Sequence, residues 1–275
     1  MTLKIFKMIT VPHLFQSQFG IDKEPELSNR VIVITGGSSG IGKATAKLFA
    51  RDGEHVVILN RNEKAGAETV AEIQALGGSV LYLKTDIGIE NQVEASFAAA
   101  EEKFGKIDIL FANAAIQINK PIDETTKEDW DQMIAANLTG TFLSCKVASK
   151  YMKKQKSGCM IICSSGHAFV SYPGYTGYAA TKGGQVAFMH AAALDLAPFG
   201  IRVNCIIPGA TESPLLTYHF SIHPEDEKRI LEKIPLGRFA TGEDIARGVR
   251  MLASPDASYI TGSCLMVEGG LLAQG

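Results

Sequence analysis

At 275 residues the chain is long enough for one large α/β domain with a substantial core, or for two small ones. Apolar residues make up 46% and charged residues 20%, and the net charge of −2 gives no electrostatic reason to bind nucleic acid or an anionic membrane. No apolar run approaches the ~18 residues of a membrane span, and neither the five cysteines nor the six histidines show metal-ligand spacing, so the chain reads as a cytoplasmic protein with free thiols and no metal.

Residues 1–28 precede the first periodic segment. Lys4 and Lys7 lie among Leu3, Ile5, Phe6, Met8 and Ile9, and Pro12 interrupts any helix. The apolar run is short and no small-residue cleavage site follows, which argues against a secretory signal. A transit peptide would carry arginine, and none occurs before Arg30. The stretch is expected to be a disordered or loosely docked tail. The alternative is an arm packed on a partner subunit through Phe6, Leu14, Phe15 and Phe19.

From Val31 the chain alternates. Residues 31–34 are all β-branched and read as a short strand buried on both faces. Apolar runs at 56–59, 80–83, 107–111, 160–163, 203–207 and 264–267 read as further strands. Helical patterns fall at 44–51, 63–76, 92–104, 127–153, 176–196 and 242–252. This alternation predicts βαβ units in a doubly wound, mostly parallel seven-stranded sheet flanked by helices, in one domain over 29–275. Ligands of such sheets sit outside the carboxyl ends of the strands, so functional side chains should follow the strands.

After the first strand comes Gly36-Gly37-Ser38-Ser39-Gly40-Ile41-Gly42. Strand, tight glycine turn and helix aim backbone N–H groups and a helix N-terminus at a phosphate. The side chains missing at Gly36, Gly40 and Gly42 let a pyrophosphate approach the backbone. After the second strand stand Asn60 and Arg61. A carboxylate there would accept hydrogen bonds from the adenosine ribose and repel a 2′-phosphate; an amide and a guanidinium instead favour NADP(H), with NAD(H) as the alternative. Lys43 is a second candidate for the phosphate. Asp86-Ile87 follows the third strand, where Asp86 either bonds the adenine amino group or caps a helix. Asn113-Ala114-Ala115 follows the fourth, where small residues either let the backbone pass close to a ribose or simply pack.

Tyr178 and Lys182 are four apart in an Ala-rich helical stretch and share one face. A free tyrosine titrates near pH 10. A neighbouring ammonium and the positive ring of an oxidised nicotinamide both favour the phenolate, making Tyr178 a general acid/base candidate. Ser165 follows the 160–163 strand and is placed to bond a substrate oxygen.

These residues resemble the short-chain dehydrogenase/reductase family over about residues 29 to 271. The resemblance rests on Thr35-Gly36-Gly37-Ser38-Ser39-Gly40-Ile41-Gly42, Asp86, Asn113-Ala114-Ala115, Asn137, Ser165, Tyr178-Ala-Ala-Thr-Lys182, Asn204, Pro208-Gly209, and Ile260-Thr261-Gly262 to Glu268-Gly269-Gly270. It implies a Rossmann fold and a catalytic tetrad of Asn137, Ser165, Tyr178 and Lys182. Tyr178 would exchange the proton and Ser165 would polarise the substrate oxygen. Lys182 would hold the nicotinamide ribose and lower the tyrosine pKa, and Asn137 would fix a relay water. Pro208, Gly209, Thr211 and Ser213 would line the cofactor, with Ser213 standing where the family usually has threonine. Ala112 and Ala115 replace the first asparagine and the glycine of the usual Asn-Asn-Ala-Gly. The absence of aspartate at Asn60, with Arg61 beside it, looks like the NADP-preferring branch. A homotetramer or homodimer through the small-residue face of helix 176–196 is also implied.

On the substrate side fall Gln117, Asn119, Gly166, His167 and Tyr175, with a lid over 212–235 whose apolar members are Leu215, Leu216, Tyr218, Phe220 and Ile222. Together these predict an NADP(H)-dependent oxidoreductase that interconverts a small-molecule carbonyl compound and a secondary alcohol. A 3-oxoacyl-(carrier protein) reductase is the nearest alternative, although no obvious basic patch lies near the lid. A catalytically silent NADP(H)-binding sensor is the alternative of another class.

Overall fold

A computed structural model of the protein describes residues 29–273. The 1–28 arm, and the side chain of the lid candidate Leu215, lie outside the described residues.

The seven strands are β1 (Val31–Thr35), β2 (His55–Asn60), β3 (Ser79–Lys84), β4 (Ile109–Ala112), β5 (Gly158–Cys163), β6 (Ile201–Pro208) and β7 (Cys264–Val267). They form one sheet in the order β3-β2-β1-β4-β5-β6-β7, and every neighbouring pair is parallel. The β-branched run of β1 is completely buried because helices cover both faces of the sheet. One face packs Val33, Leu110 and Met160 with Phe97, and the other packs Ile32, Phe111 and Ile161 with Phe49. The strand order reverses between β1 and β4, which opens a crevice at their carboxyl ends.

Helices α1 (Gly40–Arg51), α2 (Glu63–Ala75) and α3 (Glu90–Phe104) connect the first four strands. The first begins at Gly40 rather than at 44, so two of the loop glycines already belong to its first turn. The fourth strand begins at Ile109, not 107. Ile107 remains buried, but its N–H and C=O are taken by the Gln155 side chain, at 3.0 and 2.9 Å, instead of by a strand.

The segment 127–153, expected as one helix, is interrupted. Helix α4 (Lys127–Met133) passes through a π-helical turn, Ile134–Thr139, into α5 (Gly140–Gln155). Helix α6 (Thr176–Leu196) follows β5, and α9 (Gly242–Ala253) precedes β7. The lid region contains α7 (Pro214–Ile222) and α8 (Pro224–Leu231). Among the described residues no helix is long and apolar enough to cross a membrane.

Candidate active site

The glycine loop is built for close backbone approach. Gly36 has φ +68°, and a Cβ there would lie 2.9 Å from the Ala114 Cα. At Gly42 a Cβ would fall 2.3 Å from the Gly36 carbonyl oxygen. Asn113 locks this loop to β4: its Nδ2 donates to the carbonyls of Thr35 and Gly36, at 3.1 and 3.3 Å. Gly42 and Asn113 thus hold the loop together, and Ala114 packs on Gly36.

The N-terminus of α1 lacks the caps found on α2, α4 and α9. Helices α2, α4 and α9 have side-chain caps and acidic residues in the first turn. The Ser39 side chain makes no cap bond to α1, and its first turn carries no acid. A Cβ on Gly40 would meet only the Ser213 Cβ, at 3.7 Å. Uncapped donors behind an open glycine fit a phosphate.

At the end of β2, Asn60 donates through Nδ2 to the buried Ser38 hydroxyl, and its Oδ1 accepts from the Arg61 N–H at 2.7 Å. The Arg61 side chain is 65% exposed and stands 3.7 Å from Asp86. Asp86 Oδ1 caps the turn by accepting from Gly88 N–H at 3.0 Å. Lys43 is held by Glu72 at 2.6 Å and does not line the site.

A cavity of about 890 Å³ runs along the carboxyl ends of the strands. It is lined by Gly36, Ser39, Gly40, Ile41, Asn60, Arg61, Asp86, Ile87, Asn113, Ala114 and Ala115 at one end, and by Ser165, Tyr178, Lys182, Pro208, Gly209, Thr211 and Ser213 farther along. Of the expected substrate residues, Gln117, His167, Tyr175 and Leu216 line it as well, whereas Asn119 lines a neighbouring cavity. Ser38, Gly42 and Asn137 support the site without lining it.

The Lys182 side chain is fully buried, 1% exposed, on the wall of this cavity. Its Nζ donates to the Cys163 carbonyl at 2.8 Å, which leaves two of its three donors for a ligand. Burial lowers its pKa, against the pull of Cys163 and Cys205. Burial also pushes the Tyr178 phenol well above the usual tyrosine range; Cys163 adds to this, and the Ser165 side chain opposes it. The Lys182 ammonium lies 5.4 Å from the Tyr178 ring centroid.

Asn137 lies in the π turn and is completely buried. Its Oδ1 accepts from Ile116 N–H at 2.8 Å, and its Nδ2 donates to the Ile116 carbonyl and the Thr181 hydroxyl at 2.9 and 3.1 Å. Its carbonyl accepts from Gln185 Nε2 and Thr141 Oγ1 at 2.8 and 2.7 Å. The side-chain oxygen and nitrogen of Asn137 and its carbonyl are thus all engaged within the protein. The arrangement clamps α6 to the segment after β4.

His167 follows Ser165 in a 3-10 turn and stacks on Tyr175, with centroids 4.2 Å apart, while its edge meets Tyr178 at 5.7 Å. Burial lowers its pKa to about 4, so the ring is neutral at pH 7. Burial raises the Tyr175 phenol, although the side chains of Asn119 and Gln117 beside it pull the other way. Phe220 corrects the lid prediction: it packs on Phe239, with centroids 5.5 Å apart, and does not line the cavity. Tyr218 and Ile222 are exposed. Val170, Tyr172, His219, Ile230, Lys233, Leu271 and Leu272, which no sequence motif marks, also line the cavity. Among these only the apolar pair directly after Gly269-Gly270 adjoins a sequence signal.

Residues 36–272 match the family described as enoyl-(acyl carrier protein) reductase. The chain is 37% identical to 3beta-hydroxysteroid dehydrogenase 1 of Eggerthella lenta over 248 residues, 90% of this chain and 95% of that one. The chain belongs to the short-chain dehydrogenase/reductase family. It is 34% identical to cyclopentanol dehydrogenase of Comamonas testosteroni, over 90% of this chain and 98% of the relative. The crystal structure of a 3-ketoacyl-(acyl-carrier-protein) reductase from Brucella melitensis, complexed with NADH, superposes with a TM-score of 0.83 at 34% identity, covering 89% of this chain and 99% of that one. Like these relatives, this short-chain dehydrogenase/reductase is an oxidoreductase of alcohol and carbonyl groups.

Proposed function

We propose that this enzyme interconverts a ring-borne ketone and its secondary alcohol with NADP(H), Tyr178 exchanging the proton. The observation that carries the reading is Lys182: a fully buried ammonium with one protein partner, on the wall of a cavity that also holds the Tyr178 phenol and the Ser165 hydroxyl. A buried charge is costly unless its donors are met, and two ribose hydroxyls would meet them. The bound nicotinamide supplies or accepts the hydride. The uncapped N-terminus of α1 fits its pyrophosphate.

During reduction, Ser165 would donate to the substrate oxygen while Tyr178, kept protonated by burial, gives it a proton. Asn137 would act from a distance by fixing α6 against Ile116. NADP(H) preference is supported by the lack of a carboxylate at Asn60. The ion pair between Arg61 and Asp86 is long and exposed, so it holds the guanidinium weakly. Val170, Tyr172, Tyr175, His167 and Leu272 give the wall aromatic and apolar surface for a ring, and the hydroxysteroid and cyclopentanol relatives act on ring alcohols by name.

Self-association as a homotetramer or homodimer is part of this reading. Phe142 and Leu194, on α5 and α6, are 45% and 78% exposed, and a Cβ on Gly183 would meet open space. The test of function is oxidation of NADPH or NADH, followed by absorbance, across cyclic and linear ketones. Reduction of cyclic ketones with NADPH is expected. Cofactor binding without turnover of any carbonyl compound or alcohol would favour a silent sensor.

A further inference from the structure

The substrate half of the cleft is electrically one-sided. Asp86 is the only carboxylate residue lining the main cavity among the described residues, and it lies at the end marked by Arg61. At the opposite end the wall runs past Tyr175 and Tyr172 to Lys233. A second cavity of about 390 Å³ shares Tyr172, Tyr175, His219, Ile230 and Lys233 with the first, so it forms the outer vestibule of the same site.

The other cations of that vestibule are already engaged. Arg229 donates to Asp226 Oδ1 at 3.0 and 2.6 Å, and the second oxygen of Asp226 pairs with His219 Nε2 at 2.8 Å. Lys120 meets Asp129 at 2.5 Å. His223 faces Glu225 at 3.7 Å. Lys233 has no ion-pair partner among the described residues; its ammonium rests 5.5 Å from the Tyr172 ring centroid. It is an exposed cation at the point where the two cavities meet.

We infer that the substrate carries a carboxylate, held by Lys233 at the vestibule while its ring lies against Tyr172 and Tyr175. This rests on the carbonyl–alcohol reading above and adds a charged group to it. A carboxylate at the mouth of an apolar cleft stays hydrated while its ring is buried, and Lys233 gives it a counter-charge there, outside the catalytic residues. Asp226 cannot repel it strongly, because Arg229 and His219 already share its charge.

The test compares 4-oxocyclohexanecarboxylate with its methyl ester as ketone substrates of the full-length protein. The acid is expected to show a KM about threefold to fivefold lower than the ester, as for one exposed charge pair. Lys233→Met should remove that difference by raising KM for the acid alone, with kcat unchanged. Lys233→Arg should restore it, and added salt should weaken the acid but not the ester. A ketone bearing a phosphate ester, if preferred over the acid, would overturn the carboxylate assignment. So would equal KM values for acid and ester, or a Lys233→Met variant that shifts both alike.

A second measurement needs no turnover. Calorimetric binding of cyclohexanecarboxylate to the cofactor-loaded protein should exceed that of cyclohexanecarboxamide, and should fall to the carboxamide level in Lys233→Met. That result with no ketone reduced would keep the carboxylate site and count against the carbonyl reading alone. No difference between carboxylate and carboxamide would overturn the inference.

Discussion

The Nζ of Lys182 donates to the carbonyl oxygen of Cys163 at 2.8 Å, joining helix α6 to the last residue of strand β5. Ser165 follows that strand end by two residues and Tyr178 precedes Lys182 by one helical turn. One buried bond therefore sets both ends of the proton-transfer site. Replacing Tyr178 by Phe keeps the ring against His167 and removes only the hydroxyl. Turnover is expected to fall by about two to four orders of magnitude, the usual worth of a general acid/base, while cofactor binding changes little. The pH profile should carry the same signature. With the phenol raised by burial, ketone reduction should stay level through neutrality and decline as pH rises through the Tyr178 pKa. Alcohol oxidation needs the phenolate and should rise with pH. Parallel profiles in both directions would remove Tyr178 from the proton step.

Much of this site was legible because its parts are local. A run of four β-branched residues, a glycine turn and a helix form one continuous signal from Val31 to Arg51, and the fold places them in that order. The π turn was illegible for a different reason. Ile134-Ala-Ala-Asn-Leu-Thr139 continues an apolar helical pattern, and nothing local breaks it. The break accompanies distant partners: Ile116 and Thr181 on the Asn137 side chain, Gln185 on its carbonyl. Lys233 was illegible likewise, since its meaning depends on which neighbouring cations already have carboxylates.

The proposed preference for NADP(H) turns on the end of β2. Arg61 is tied to Asp86 only by a long, exposed ion pair, worth at most about 1 kcal/mol. A phosphate held by its guanidinium would contribute about 1.5–3 kcal/mol as a charge-assisted hydrogen bond. Asn60→Asp with Arg61→Ala is expected to move the ratio of kcat/KM between NADPH and NADH at least tenfold toward NADH. Asn60 also bonds Ser38, so each single change should be measured beside the double one. Wild-type protein that uses NADH as well as NADPH would refute the preference.

His167 makes a statement about stability. Its pKa falls from 6.5 to about 4 because burial disfavours the imidazolium. Between those values the unfolded chain binds a proton that the native chain does not, so this group makes stability fall as pH drops from about 6.5 to about 4. Below that window the loss is complete, and above it the group contributes no pH dependence. His167→Phe keeps a ring to stack on Tyr175. Denaturant unfolding of both proteins across this range should show a shallower acid decline in the variant. The difference between the two curves is the quantity to read, because the carboxylates titrate in both.

Two apolar lid residues that look alike in the sequence, Leu216 and Phe220, take different places in the structure. Leu216 faces the cavity from α7, whereas Phe220, one turn later, packs on Phe239. Covering a substrate with the Leu216 side chain could contribute up to about 1.5–3 kcal/mol, depending on how fully it is buried. Leu216→Ala should accordingly raise KM by roughly tenfold or more, with proton transfer by Tyr178 intact. Phe220→Ala loses an aromatic pair worth about 0.5–1.5 kcal/mol beyond its buried area. Its effect should appear as easier proteolysis or faster hydrogen exchange of α7, with a smaller change in KM. Steady-state kinetics of the two single variants, read beside hydrogen exchange of Pro214–Ile222, separates the roles. A larger KM effect at Phe220 than at Leu216 would mean that α7 turns its other face to the substrate when the site closes.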